Sequence, residues 1–374
     1  MFDDLIDEKR LTDLFIELTS IDSVSLNERQ FADILKEKLT GLGIEPYEDN
    51  SGEILGGNAG NVYGYLEGST NNSPLLFSAH MDTVEPGTGK RAIIKSGRIV
   101  SETDTVLGAD DVGGIAVILE AVRILKENKI PHRSIEVLFP VAEEIYAKGS
   151  SVFDYTKLRS KEGYVLDLTG KIGTASLREP TLISFSVEIE GKSAHAGFAP
   201  EEGINAITIF ADAVHEIKQG RIDEETTVNI GTVNGGTVTN AIPQKVIAKG
   251  EIRSYVHEKA LLQIEIIKNK FKAAALKYGG KAEVKEEINL VAYKVDSDER
   301  VVKRFEKVCE GLNISTKLVE TFGGSDNNSF LRNKIKGIVL SSAMEEVHTV
   351  NEYCDIEELK KSLLVVLNLM TSNI

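Results

Sequence analysis

Three short apolar runs of this 374-residue chain end in the same way, and that shared ending narrows the folds open to it. Leu75-Leu76-Phe77-Ser78-Ala79 runs into His80-Met81-Asp82. The run from Ser134 to Val141 meets Ala142-Glu143-Glu144, and Tyr164-Val165-Leu166 meets Asp167. Runs of this length read as strands buried in a sheet. Side chains alternate along a strand, so His80 and Asp82 emerge on one face. Strands that alternate with helices indicate a mostly parallel sheet. Such sheets bind ligands beyond the carboxyl ends of their strands, which is where these ionisable residues fall.

The rest of the chain supports that reading. Helical spacing occurs over 8–19 and 27–41, the second with Phe31, Ile34, Leu35 and Leu39 on one face. A strand is expected over 61–66 and a hairpin over 91–106, turning at Ser96-Gly97. Leu107-Gly108-Ala109-Asp110-Asp111-Val112-Gly113-Gly114 then opens a helix with Ile115, Ile118, Leu119, Val122 and Leu125 on its apolar side. One Asp there would serve as a cap. Two, followed by paired glycines, also suggest a place where another backbone comes close.

Near residue 180 the pattern changes. A strand at 182–190, a helix at 202–218, strands at 226–233 and 244–253, a helix at 257–278 and a strand at 281–290 follow in ferredoxin-like order. Alternation then resumes: helix 298–310, strand 315–321, a Gly323-Gly324-Ser325-Asp326 turn, strand 337–342 and helix 355–370. The expected fold is α/β. A catalytic domain (1–178 and 292–374) would have a mixed, mostly parallel sheet with helices on both faces. A ferredoxin-like α+β lid or dimerisation domain (179–291) would interrupt it.

A net charge of −15 argues against nucleic acid or an anionic membrane as the main partner. No stretch approaches the roughly 20 apolar residues of a membrane span. Cys309 and Cys354 lie far apart and outside any CxxC pattern, which disfavours a disulfide framework or a cysteine zinc site. The acidic start, Met1-Phe2-Asp3-Asp4, lacks the features of a signal peptide, so a cytoplasmic location is expected.

His348, in the loop Glu345 to Glu352, adds a second imidazole to the acidic clusters. Histidines and carboxylates without sulfur suit zinc, manganese or cobalt. One catalytic zinc usually takes three protein ligands, and here there are more. Two ions sharing a carboxylate would use His80, Asp110, Glu144, Asp167 and His348. That leaves Glu143 as a base and Asp82 behind the ligands. Two-metal sites suit hydrolysis.

In their order, Ser78-Ala79-His80-Met81-Asp82-Thr83-Val84, Gly108-Ala109-Asp110-Asp111, Glu143-Glu144, Val165-Leu166-Asp167 and His348 resemble the two-zinc metallopeptidases. That family includes peptidase T, carboxypeptidase G and the aminoacylases. In the insert, Ser193-Ala194-His195-Ala196-Gly197, the stretch Gly235 to Pro243 and Arg253 resemble its substrate-facing elements. The likeness spans essentially the whole chain and is strongest to peptidase T-like tripeptidases.

The resemblance implies that His80 and Asp167 hold one zinc, Glu144 and His348 the other, and Asp110 bridges. Asp82 would orient His80. Glu143 would act as general base and then acid. His195 would donate to the oxyanion, and Asn240, Arg253, Gly324 and Ser325 would meet the peptide's polar ends. Many relatives carry Lys two residues after the bridging Asp, where this chain has Val112.

The expected activity is that of a zinc-dependent exopeptidase releasing the N-terminal residue of short peptides, tripeptides in particular. Deacylation of N-acyl amino acids, a dipeptidase, and a metal-binding protein without turnover are the alternatives. A homodimer through the edge of the inserted sheet is also expected.

Overall fold

The computed structural model describes residues 2–373. The chain divides into two units, Met1–Arg178 with Lys294–Ile374, and Glu179–Tyr293. The first is a mixed sheet flanked by helices. Its central strands run parallel in the order Ile135–Phe139, Leu75–Ser78, Glu162–Leu168 and Lys336–Ser341. All of Ile135–Phe139 and Leu75–Ser78 is buried, which explains their unbroken apolar sequence.

Register sets the site. Ser78 pairs with Leu138 on one side and with Val165 on the other. Two residues further along, His80 and Asp167 therefore leave the sheet at one level. The amide of Met81 donates to the carbonyl of Pro140 (2.8 Å), carrying this alignment past the strand ends.

The helix Glu8–Thr19 begins where Asp7 accepts from the Arg10 amide and buries Leu11, Leu14, Phe15 and Leu18 on one face. The helix Ala109–Glu127 is buried nearly all round from Ala109 to Val122, which makes it a core helix. The last helix, Ile356–Thr371, is capped by Asp355, whose carboxylate accepts from Glu357 and Glu358. The hairpin expected over 91–106 is formed by Ala92–Lys95 and Arg98–Ser101. Tyr353–Asp355 and Met344–Glu345 extend it into a small separate sheet.

The second unit is an antiparallel sheet in the order Gly220–Asp223, Thr226–Gly235, Lys245–Ser254, Thr181–Glu190, Lys281–Leu290. The last four strands are ferredoxin-like in order, and Gly220–Asp223 is an additional strand. Its short polar sequence carries no apolar alternation, so nothing in it signalled a strand. Phe185, Val187 and Ile189 pack with Ile209, Ile264 and Phe271 of its helices. The helix expected over 202–218 is shorter, Ala206–His215, because Asn205 caps it by accepting from Ile207 and Thr208.

Of the paired glycines, Gly113 meets another backbone, a Cβ there lying 3.1 Å from the Ser342 carbonyl oxygen, while Gly114 is crowded by side chains. A Cβ on Gly114 would lie 2.7 Å from Asp111 Oδ1, 2.8 Å from Leu166 Cβ and 2.9 Å from Ala79 Cβ. A methyl group there must push the helix off the strand Glu162–Leu168 and off Ala79, which follows Leu75–Ser78. Gly114→Ala is expected to destabilise the protein by about 1–3 kcal/mol, read as a lower urea midpoint. An unchanged midpoint would contradict this packing.

Candidate metal centre

The alignment of strand ends brings His80, Asp110 and Asp167 together, with one potential ligand atom from each within 4.8 Å of the others. Asp110, Glu144 and His348 form a second such group. Asp110 belongs to both. Its Oδ1 lies 3.0 Å from His80 Nε2, and its Oδ2 lies 3.3 Å from His348 Nε2. Glu144 Oε2 is 2.9 Å from the same His348 nitrogen. One carboxylate with an oxygen toward each group is the arrangement a bridging ligand requires.

The donors fit a divalent cation of the zinc class. They are imidazole nitrogens and carboxylate oxygens, and Glu144 Oε1 is buried without a hydrogen-bond partner. His80 donates from Nδ1 to the main-chain carbonyl of Asp82 (2.9 Å), which leaves Nε2 as the ligating nitrogen. Asp82 makes the shorter contact through its backbone carbonyl, and its carboxylate Oδ1 lies 3.5 Å from the same His80 nitrogen. Asp82 Oδ1 accepts from the Glu143 amide (2.8 Å). Its Oδ2 accepts from the Glu144 amide (3.1 Å) and from Ser25 Oγ (2.6 Å).

Electrostatics reflect crowding of like charge. Burial, with the Asp110 and Glu143 carboxylates, drives Asp167 well above the carboxylate range. Burial, opposed by His80 and reinforced by Asp326 and Glu144, does the same to Glu143. Burial also works against the Asp110 charge, but hydrogen bonds to His348 and His80 hold that carboxyl below its ordinary value. Hydrogen bonds to Asp110 and Glu144 raise His348 to about 10. Two divalent cations would answer this excess of negative charge.

Two further carboxylates belong to the surroundings. Glu352, buried, accepts from the amides of Gly108 (2.8 Å) and Asp110 (3.0 Å) and so fixes the turn that presents Asp110. Asp326 is buried next to Ser325, and burial pushes its carboxyl up to about 6. Sequence reasoning gave Glu352 no role and Asp326 only a place in the turn expected to meet the peptide's polar ends. Glu352 had one signal, its place four residues after His348.

The remaining candidates belong to both units. Ser325 is buried and caps the helix Asp326–Arg332 through a reciprocal pair of bonds with Asn327 and Asn328, and Gly324 precedes it half-buried. His195, Asn240 and Arg253 belong to the second unit. There the loops of His195 and Asn240 are joined, the Ala196 amide donating to the Asn240 carbonyl (3.0 Å). His195 is exposed and stacks on Phe198 at 4.2 Å. Its Nδ1 accepts from the Gly197 and Phe198 amides, which leaves the ring proton on Nε2. Arg253 lies on the strand Lys245–Ser254 and pairs with Glu251 (2.8 Å).

The sequence matches the profile of the peptidase dimerisation domain over residues 178–279 and that of peptidase family M28 over 61–178. YqjE of Bacillus subtilis (strain 168) is 38% identical, over 97% of this chain and 98% of that protein. The crystal structure of aminopeptidase PepT from Bacillus cereus ATCC 10987 is 38% identical, with a TM-score of 0.90 over 98% of each chain. A tripeptidase structure from Staphylococcus aureus subsp. aureus mu50 is 35% identical, with a TM-score of 0.94 over 98% of each chain.

Because Asp110 belongs to both groups, Asp110→Asn is expected to weaken zinc binding at both sites by roughly 10-fold or more. Elemental analysis after dialysis against buffered zinc measures this. Retention of the full wild-type metal content would refute a bridging role.

Proposed function

Because this chain belongs to the M20 family of two-zinc metallopeptidases, we propose that it is a metal-dependent exopeptidase removing the N-terminal residue of short peptides, tripeptides in particular. The observation that carries this reading is Asp110 shared between two metal-binding groups, with Glu143 beside them. The relatives named aminopeptidase and tripeptidase, alike over nearly the full chain, supply the choice of substrate.

His80 and Asp167 would hold one ion, Glu144 and His348 the other, with Asp110 between. When bound, the ions supply Lewis acidity toward the scissile carbonyl and toward water. The protein's own residues do the rest. Glu143 Oε2 lies 4.0 Å from His80 Nε2, beside the ligands and not among them. As base it accepts a proton from the attacking water, then returns that proton to the leaving amine nitrogen. Burial raises its carboxyl well above the ordinary carboxylate range, the direction that a group relaying a proton needs. His195 Nε2–H is suited to donate to a carbonyl oxygen, and Asn240, Arg253, Gly324 and Ser325 to meet the peptide's termini.

A homodimer through the second unit is part of the same proposal. That unit matches a peptidase dimerisation domain. Among the described residues its strand Lys281–Leu290 pairs on one side only, with Thr181–Glu190. Ile288 on this strand and Leu276 on the preceding helix are exposed. An unpaired edge with apolar neighbours favours self-association. No helix among the described residues is long and apolar enough to cross a membrane. We place the protein in the cytoplasm, in keeping with two free, buried cysteines.

Glu143→Ala should keep its zinc yet lose at least ~100-fold in kcat, assayed by mass spectrometry on a panel of tripeptides and N-acetyl amino acids. Normal turnover would remove Glu143 as the base. Preference for the N-acetyl compounds would replace the peptidase reading with a deacylase. Light scattering at micromolar protein should give twice the chain mass, and a monomer mass would exclude the dimer.

A further inference from the structure

The twin glutamates sit on a turn held in an unusual way. Four consecutive amides, from Val141 to Glu144, all donate to side chains. Val141 donates to Asn61 Oδ1 (3.1 Å), Ala142 to Glu28 Oε1 (3.1 Å), and Glu143 and Glu144 to the two oxygens of Asp82. The carbonyls of residues 141, 142 and 143 accept from Gly149, Lys148 and Ala147. Every one of these bonds lies within the first unit.

Glu28 does the most unusual work among these acceptors. Its side chain is fully buried, and the same Oε1 also accepts from the Leu26 amide at 2.8 Å. Leu26 and Ala142 both have left-handed backbones, φ 69° and 54°, which a Cβ disfavours. One carboxylate oxygen therefore joins two strained positions more than a hundred residues apart in sequence. Leu26 lies in the loop whose Ser25 hydroxyl donates to Asp82. Ala142 immediately precedes Glu143 and Glu144. Such backbone persists only where its surroundings over-determine it.

We propose that Glu28 is a positioning residue for the metal centre: by accepting from Leu26 and Ala142 it locks the turn that aims Glu143 and Glu144. Glu28 touches neither substrate nor metal in this account and acts through the Ala142 amide. The proposal rests on the roles given above to Glu143 and Glu144. What the site requires of Glu28 is an acceptor oxygen at one place. Burial, then the nearby Asp82, pushes the Glu28 carboxyl up to about 7, so a neutral amide is a close substitute. A shorter Asp cannot span both amides.

The test compares Glu28→Ala, Glu28→Gln and Glu28→Asp in the full-length protein. Zinc affinity is read by competition with a chromophoric chelator, and kcat and KM by tripeptide hydrolysis at saturating zinc. In Glu28→Ala and Glu28→Asp, kcat and the affinity of one zinc site should each fall roughly 10-fold or more. KM should stay within about threefold of wild type, and Glu28→Gln should restore both readings to within about threefold. A Glu28→Ala protein close to wild type in both readings would overturn the proposal. So would a Glu28→Gln protein as impaired as the alanine variant. Should Glu28→Ala fail to fold, the Gln and Asp variants decide alone by the same criteria. The zinc reading does not depend on peptide turnover, so a wild type that cleaves no peptide defeats the peptidase reading while Glu28 is still judged.

Discussion

Like charges repel far more strongly inside a protein than in water, and Asp82, Asp110 and Glu143 are all buried at one rim of the parallel strands. That repulsion is the constraint the rest of the catalytic unit answers. Part of the answer is the cations the donors are shaped to hold. The other part is backbone. Amide groups carry partial positive charge and need acceptors when buried. The turns around the site offer their amides inward, so carboxylates and amides satisfy each other.

This solution recurs. Asp82 holds Glu143 and Glu144, and Glu352 holds Gly108 and Asp110. In both cases a carboxylate that is not a ligand takes two amides from the turn that carries one. The ligating side chain is thereby freed from bracing its own backbone. A hydrogen bond between a charged acceptor and a buried amide is stronger than a neutral one, so the construction is stiff where a metal centre needs stiffness. Non-glycine residues at positive φ gather in the same places: Ala142, Tyr146 and Ala147 after one strand, Ala343, Glu346 and His348 after another.

Much of this was legible in the sequence because it follows from short-range patterns. The apolar runs before His80, Glu143 and Asp167 fix strands, parallel pairing aligns their ends, and the ligand cluster follows. The ferredoxin-like order of the second unit is legible for the same reason. Glu28 and Glu352 were not legible. Glu28 stands at the start of an amphipathic helix, where a glutamate needs no special explanation, and its decisive partner is Ala142. Among 58 acidic residues, nothing local separates a buried acceptor from a solvated one. Ser325 shows the converse. Its turn signal was plain, but that signal did not disclose that its buried hydroxyl also caps a helix.

Asp82 shows how far a motif carries and where chemistry must take over. A His-x-Asp pair on one strand face suggests a carboxylate behind an imidazole. Here His80 Nδ1 is 2.9 Å from the Asp82 carbonyl and 3.5 Å from its carboxylate, so the main chain makes the shorter contact that fixes the tautomer while the carboxylate also takes the glutamate turn. One residue thus couples the ligand on one strand to the base and ligand beyond another. Disturbing Asp82 would move both metal groups together. The two groups are therefore a single mechanical unit, joined through Asp110 at the ligands and through Asp82 behind them.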